Sequence, residues 1–522
     1  VAGSLALSAL VASLPVLCVL VLLGIVRRPA WQASAAGLLT GFVLAATVWR
    51  FPPLMALNAA AAGAVFALCP LMWIVTGALL LYNVTVASSR FDAFRDWLLR
   101  ALPNDRRIFL VVVGFGFGAL LEGIAGFGST IAITSSLLIM TGWSTIDALT
   151  YTLIFDTAPV AFGALGIPIT VLGKVTGLSP ALLGAMVGRQ LPFLAVLLPF
   201  YVMAAFGGRR SVAALWPLLL VAGTSFAIAQ FLTSNFGDYQ LTDLAASLAS
   251  LVCTVLFLRV WRPAPDAAYE ITAPALAAGS GGFWRGWMPW LLVTFVVFAW
   301  THFGVPLVGQ ISIHWPGLDG AVFITLYGKP YPLVYALQPL GSGTAVVLSA
   351  VVTAVLVRLP PRMLLACLLR TFVQIRVAVL TVSLILGLAY LMNYAGLTYT
   401  LGAAAASLGV LFPLVSPFLG WVAVMLSGSD TSGNALFGNL QVVAAHQLGL
   451  NPILFAAANS SGGVMGKMVS PQNISTGVAV TDMRGKEGQV FARTFPHSLV
   501  LTLLLALLVL AQQYLAPWMI PR

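Results

Sequence analysis

"GALLEGIAGFGST", Gly118–Thr130, interrupts apolar sequence running from Ile108 to Met140, yet it holds a carboxylate, Glu122, and three glycines within the seven residues 122–128. A charged side chain at bilayer depth costs about 2.5–3.5 kcal/mol or more and is there by default for function. Unwound backbone at that depth leaves amides and carbonyls unsatisfied, so it persists only where it lines a protein cavity or holds a ligand. The stretch therefore predicts the tip of a re-entrant hairpin, residues 107–142. Its glycines let backbone approach a ligand, and a helix starting near Ser129 offers N–H groups and a positive dipole end to an anion.

Composition places that tip in a membrane protein. Hydrophobic residues make up 60% of 522 and charged residues 7%, with a mean hydropathy of +1.01, against about 25% charged in soluble domains. The net charge of +11 comes from Arg and Lys in short connections, as the positive-inside rule expects, so it reports topology and not nucleic-acid binding. Cys18, Cys69, Cys253 and Cys367 lie in apolar runs without C-x-x-C spacing. They read as small core residues, with neither a disulfide framework nor a metal site. No H-E-x-x-H, G-x-S-x-G or Cys/His cluster occurs, so the chain is expected to be no enzyme and to carry no cofactor.

Runs of about 20 apolar residues mark spanning helices. Twelve are expected, at 5–26, 31–49, 63–86, 148–173, 181–206, 213–233, 242–261, 286–304, 339–357, 371–391, 452–483 and 496–516, with 400–412 as a weaker candidate. The first is too long for a signal-peptide apolar region and lacks a basic leader, so it reads as an uncleaved span with its N-terminus outside. Threading onward puts Arg90–Arg107, Arg209/Arg210, Arg259–Arg285, Arg358–Arg370 and Arg484–Arg493 on the cytoplasmic side. Arg50, Lys174, Lys329 and Arg522 fall outside, and both termini are periplasmic. Residues 263–285 read as a cytoplasmic linker, flexible at Pro263–Gly282.

The hairpin pattern recurs at 413–450, where "SGSDTSG" separates two apolar runs of about 14 residues, too short to cross singly. Each hairpin is followed by an interrupted span. In 148–173 Pro159 and Pro168 remove backbone donors, and in 452–483 "NSSGGVMGKMVSP" supplies glycines and Pro471. Three spans, a hairpin, a broken span and a further span occur twice, with the hairpins opening to opposite sides. The predicted fold is all-α and polytopic, an inverted repeat of 1–241 and 286–522 joined by a connecting helix at 242–262 and the linker. Secondary transporters are commonly built this way, with discontinuous helices meeting near the midplane.

The residues also carry a resemblance. "LLEGIAGFGSTIAIT" (120–134), "DTAPVAFGALGIPI" (156–169), "MVGRQLPF" (186–193), "SFAIAQFLTSNF" (225–236), "SGSDTSGNALFGNLQ" (427–441) and "NSSGGVMGKMVSPQ" (459–472) followed by "GKE" resemble the bacterial L-lactate permease family, which includes glycolate permeases. The resemblance implies proton-coupled symport of L-lactate, D-lactate, glycolate and related 2-hydroxymonocarboxylates across the inner membrane, and a place near the ion-transporter superfamily with its paired re-entrant hairpins. Asp156 stands where the family pattern has Asn, and Ser129-Thr130 where it has a small apolar residue and Pro.

Three acids at the breaks are candidates for proton coupling. Glu122 stands in a tip of Gly, Ala, Ile and Phe, so its charge is expected to be the least locally compensated; the plainer reading is a hairpin cap accepting backbone N–H groups. Asp156 serves equally as a proton carrier or as a cap for its helix. Asp430, before Thr431, Ser432, Gly433 and Asn434, resembles an N-cap more than a proton relay. A substrate with one carboxylate and one hydroxyl needs a cation and donor/acceptor pairs. Lys467 and Arg189 are the candidate cations, Lys as a point charge and Arg as a bidentate fork. Gly126, Gly128, Ser129, Thr130, Thr431, Ser432, Gly433, Asn434, Ser460 and Ser461 are candidate substrate contacts, although Ser and Thr also satisfy backbone at helix breaks. The expected partners are the monocarboxylate, the proton and the bilayer. Sodium coupling is the alternative, since unwound carbonyls and hydroxyls also suit Na⁺; a channel and a membrane enzyme fit less well.

Overall fold

The computed structural model describes residues 3–26, 28–126, 129–271, 282–325, 328–479, 481, 483 and 486–521. The fold is all-α, and the chain is a multi-pass membrane protein. Among the described residues nine helices are long and apolar enough to cross a membrane, or ten if the bent pair Thr145–Phe155 and Val160–Thr176 is one span. The runs at 181–206 and 213–233, expected as two spans, lie in one helical stretch of 57 residues, Pro180–Phe236, in which Gly208 takes a non-helical conformation. Span 452–483 divides into Pro452–Lys467 and Pro471–Ala479. The weak run at 400–412 begins as the short helix Leu397–Ala406.

Burial sorts these helices by position. The apolar window of Arg106–Ile124 is 100% buried, that of Leu5–Leu23 only 28%, so the first hairpin is enclosed by protein while the N-terminal helices form the rim. Apolar side chains such as Leu10, Leu39 and Leu54 remain exposed there, as suits a lipid-facing surface.

The hairpin legs are mostly longer than the sequence suggested. The first leg runs helically from Arg106 to Ala125 through wider π turns at Leu110–Phe117. Asp105 caps it, accepting the Arg107 N–H at 2.8 Å. Gly126 ends it at φ 51° and ψ −152°, a conformation essentially reserved for glycine, and the return leg is Ser129–Met140. The second hairpin pairs Phe412–Ser427 with Asp430–Gln447 around Gly428, at φ 75°.

The two broken spans break for different reasons. In the first, Thr145–Phe155 ends at Asp156, and after Gly163 three consecutive residues, Ala164, Leu165 and Gly166, are left-handed before the helix resumes to Thr176. In the second, the glycines predicted to interrupt the span do not. The helix continues through Gly462, Gly463 and Gly466 and stops only after Lys467, before Pro471. Those glycines serve close packing. A Cβ at Gly462 would lie 2.1 Å from the Pro417 carbonyl oxygen and one at Gly466 2.3 Å from that of Trp421, so this helix rests backbone to backbone on the first leg of the second hairpin, the small-xxx-small contact of membrane helices.

Outside the helices, Ile311–His314 pairs antiparallel with Val334–Leu337 and Phe323–Ile324 with Lys329–Pro330, two small ribbons that the sequence did not announce. Of the expected linker, 272–281 lies outside the described residues. Its first part is tethered: Asp266 stands 3.7 Å from Arg107, whose guanidinium lies 3.9 Å from the Tyr269 ring centre. The four cysteines are free, but only Cys367 is buried and Cys253 is exposed, so the expectation of four core residues fails.

Candidate functional site

The two hairpin tips and the two broken spans converge on one buried cluster. Lys467, the last helical residue before the second break, donates to Glu122 Oε1 at 2.6 Å and stands 3.0 Å from Asp156 Oδ2. Thr130, on the return leg of the first hairpin, donates to Glu122 Oε2 at 3.0 Å. Lys467 is held at its end by helix geometry, since Asn473 Nδ2 donates to the carbonyls of Lys467 and Gly428 at 3.3 and 2.9 Å. These groups are almost wholly out of solvent, with Glu122 at 3% and Lys467 at 5% exposure. Burying charges so deeply is tolerable only because they are paired and hydrogen-bonded.

That geometry reverses one expectation. Glu122, predicted to be the least compensated acid, is the most compensated, because its partners come from residues remote in sequence. Asp430 is the acid with no cation within bonding distance. Nor is it the N-cap, a role taken by Ser429. Its Oδ2 accepts from Ser460 at 2.5 Å and Asn434 at 3.2 Å, while its Oδ1 has no hydrogen-bond partner among the described residues. A Cβ at Gly463 would fall 2.4 Å from that oxygen, so this glycine leaves room for the carboxylate. Asn434 also donates to the Pro168 carbonyl at 3.2 Å, tying the second tip to the first broken span.

Between the tips lies a cavity of about 40 Å³ whose lining includes Glu122, Gly126, Gly163, Pro168, Ser429, Asp430, Thr431 and Lys467. Lys467 meets this space already paired with Glu122 and Asp156.

The other predicted residues divide. Gly126 and Thr431 line the cavity. Ser432 is buried within the first turn after Ser429, and Gly433 faces Val424 Cγ2, where a Cβ would come within 2.5 Å, so it packs closely within the hairpin. Ser461 turns away, donating to Gln190 at 2.7 Å. Arg189 is not brought to the cluster. Its guanidinium donates to Asn235 Oδ1 at 2.6 Å and the Met519 carbonyl at 2.8 Å, which ties the C-terminal segment to the helix 191–236. Gly128 lies outside the described residues, as does the side chain of Ser129.

Sequence reasoning misses Asp243. It is 1% exposed and sits against Gly123, where a Cβ would lie 2.7 Å from its own Cβ. The signal is legible, a carboxylate one residue into the apolar run 242–261, and the rule that flags Glu122 flags it equally.

A profile of the L-lactate permease family matches residues 8–516. The chain is 39% identical over 545 residues to the glycolate permease GlcA of Escherichia coli K12, covering 98% of this chain and 97% of that protein. It is 38% identical over 560 residues to the L-lactate permease of Bacillus subtilis 168, with 100% and 98% covered. Among solved structures it is similar to the YdaH transporter of Alcanivorax borkumensis, with a TM-score of 0.49 at 15% identity, covering 93% of this chain and 98% of that one. By family profile and full-length identity, the chain belongs to the L-lactate permease family.

Proposed function

We propose that the chain is a secondary transporter that carries L-lactate, D-lactate, glycolate and similar 2-hydroxymonocarboxylates across the bacterial inner membrane together with protons. Its relatives are named for lactate and glycolate, and these share a carboxylate beside a hydroxyl. The observation that carries the reading is the shared lysine. Lys467 is the one cation at the tips among the described residues, and Glu122 and Asp156 both occupy it. A substrate carboxylate must take the place of one of them.

Charge conservation then supplies the coupling. With Lys467, Glu122 and Asp156 ionised the cluster carries one net negative charge. A bound monocarboxylate adds a second unless an acid takes up a proton, and uncompensated buried charge is disfavoured by several kcal/mol. If Glu122 accepts a proton as it leaves Lys467, the loaded and empty sites hold the same net charge. One proton enters with each substrate anion. Thr130 keeps its contact by donating to the other oxygen, and Asp156 retains the lysine.

The same reading takes 1–241 and 286–522 as inverted repeats, with periplasmic termini. It is supported by the matching order of hairpin, broken helix and following span in each half. The test is uptake of labelled lactate into proteoliposomes with pH and Na⁺ gradients imposed separately. Accumulation driven by the pH gradient alone is expected; accumulation that needs Na⁺ overturns the reading.

A further inference from the structure

Asp243 is the buried acid that this mechanism leaves unused. It lies in the first turn of the helix Thr242–Val260, which runs antiparallel to the first leg of the first hairpin. Gly116 faces Leu251 and Gly123 faces Asp243, a register that brings Asp243 beside the residue following Glu122. Among the described residues neither of its carboxylate oxygens has a hydrogen-bond partner. With Glu122, Asp156 and Lys467 all ionised, the paired cluster beside it sums to one negative charge. The turn before it adds Asp238, whose Oδ1 accepts the Gln240 N–H, and Tyr239, whose hydroxyl is 3.0 Å from that of Thr170. The neighbouring stretch 191–236 has charged residues only at Arg209 and Arg210, far along the helix, and Gly163–Thr176 only at Lys174, near its other end.

An ionised carboxylate in that position has neither a cation nor a donor of its own among the described residues. The helix N-terminus supplies about 0.3–1 kcal/mol, too little against the several kcal/mol that burying an unpaired charge costs. The neutral acid avoids that cost and has a proton to give. Resting on the proton-coupled reading above, we propose that Asp243 holds a proton while Glu122 is paired with Lys467, and passes it to Glu122 when substrate displaces Glu122 from Lys467. The O–H bond of Asp243 breaks and one forms on a Glu122 oxygen. Asp243 is left ionised until it regains a proton from the aqueous phase, so one proton still accompanies one substrate anion. Gly123, lacking a side chain, lets the backbone that carries Glu122 approach Asp243 closely.

The test compares wild-type protein, Asp243→Asn and Gly123→Ala in the same proteoliposomes, measuring lactate counterflow and the initial rate of pH-driven uptake. Infrared difference spectra with and without lactate are recorded alongside. For Asp243→Asn, counterflow is expected within twofold of wild type while the pH-driven initial rate falls at least tenfold. The lactate-induced loss of a protonated-carboxyl band, present in wild type, should vanish. Gly123→Ala keeps the acid but pushes it away, and should lower the pH-driven rate more than counterflow. A wild-type pH-driven rate in Asp243→Asn overturns the inference, as does an equal loss of both activities or a band that survives the substitution. Absence of pH-driven uptake in the wild type instead overturns the coupled reading itself.

Discussion

Lys467 Nζ lies 2.6 Å from Glu122 Oε1 although the two residues are 345 positions apart in the chain. One comes from a hairpin tip in the first half and the other from a broken helix in the second, so this contact joins the halves at the point where substrate and proton would meet.

Removing the lysine should therefore cost more than a ligand contact. Lys467→Met leaves Glu122 and Asp156 buried without a cation, and breaking a buried pair from one side costs roughly 3–5 kcal/mol. Thermal unfolding in detergent should show a large fall for Lys467→Met. Most of it should return in the triple variant Lys467→Met/Glu122→Gln/Asp156→Asn, where no unpaired charge remains. Lactate binding should be absent from both. A single variant as stable as wild type would mean that the cluster is solvated.

Arg189 gives the contrasting case. With its guanidinium on Asn235 and the Met519 carbonyl, Arg189→Gln should lower the thermal midpoint and leave the half-saturating lactate concentration within about twofold, since substitutions away from a site rarely reach it. A tenfold weaker apparent affinity at unchanged stability would return Arg189 to the substrate site.

The glycines of the second broken span should respond according to what faces them. Gly462→Ala and Gly466→Ala press a methyl into the backbone of Pro417 and Trp421, an overpacking that costs about 1–3 kcal/mol. Gly488, with nothing within 4 Å, lies in the first turn of a helix and should be neutral or slightly stabilising as Ala. Unfolding midpoints of the three variants decide whether close helix contact is what those glycines provide.

The fold is legible in the sequence wherever one segment determines its own structure. Hydropathy marks the breaks at Gly126 and Gly428, because an acid or a glycine run inside apolar sequence is tolerated at bilayer depth only where protein or ligand satisfies it. It does not anticipate that Arg106–Ile124 and Gly409–Ser427 are each long and apolar enough to cross a membrane. It places the break of the second broken span within the right stretch, before Pro471, but assigns part of it to Gly462 and Gly466, which read as helix breakers in isolation and become packing surfaces only when another backbone approaches. The same limit governs the site. Lys467, Glu122 and Asp156 are each identifiable as intramembrane charges, but their pairing depends on tertiary contacts that spacing along the chain does not encode. Glu122 accordingly reads as the barest acid in the sequence and is the best satisfied in the structure. Asp243 escapes notice for a different reason: it begins an otherwise ordinary span, with no glycine or proline beside it to mark a break.

The central claim, that Glu122 gives up Lys467 to the substrate only by taking a proton, is tested most directly by Glu122→Gln, a permanent analogue of the protonated side chain. Counterflow and pH-driven uptake of labelled lactate are measured on the same liposomes. Counterflow should persist, because Lys467 is free to take the substrate carboxylate, while uphill accumulation driven by the pH gradient should be lost. Undiminished pH-driven accumulation by Glu122→Gln would contradict that claim.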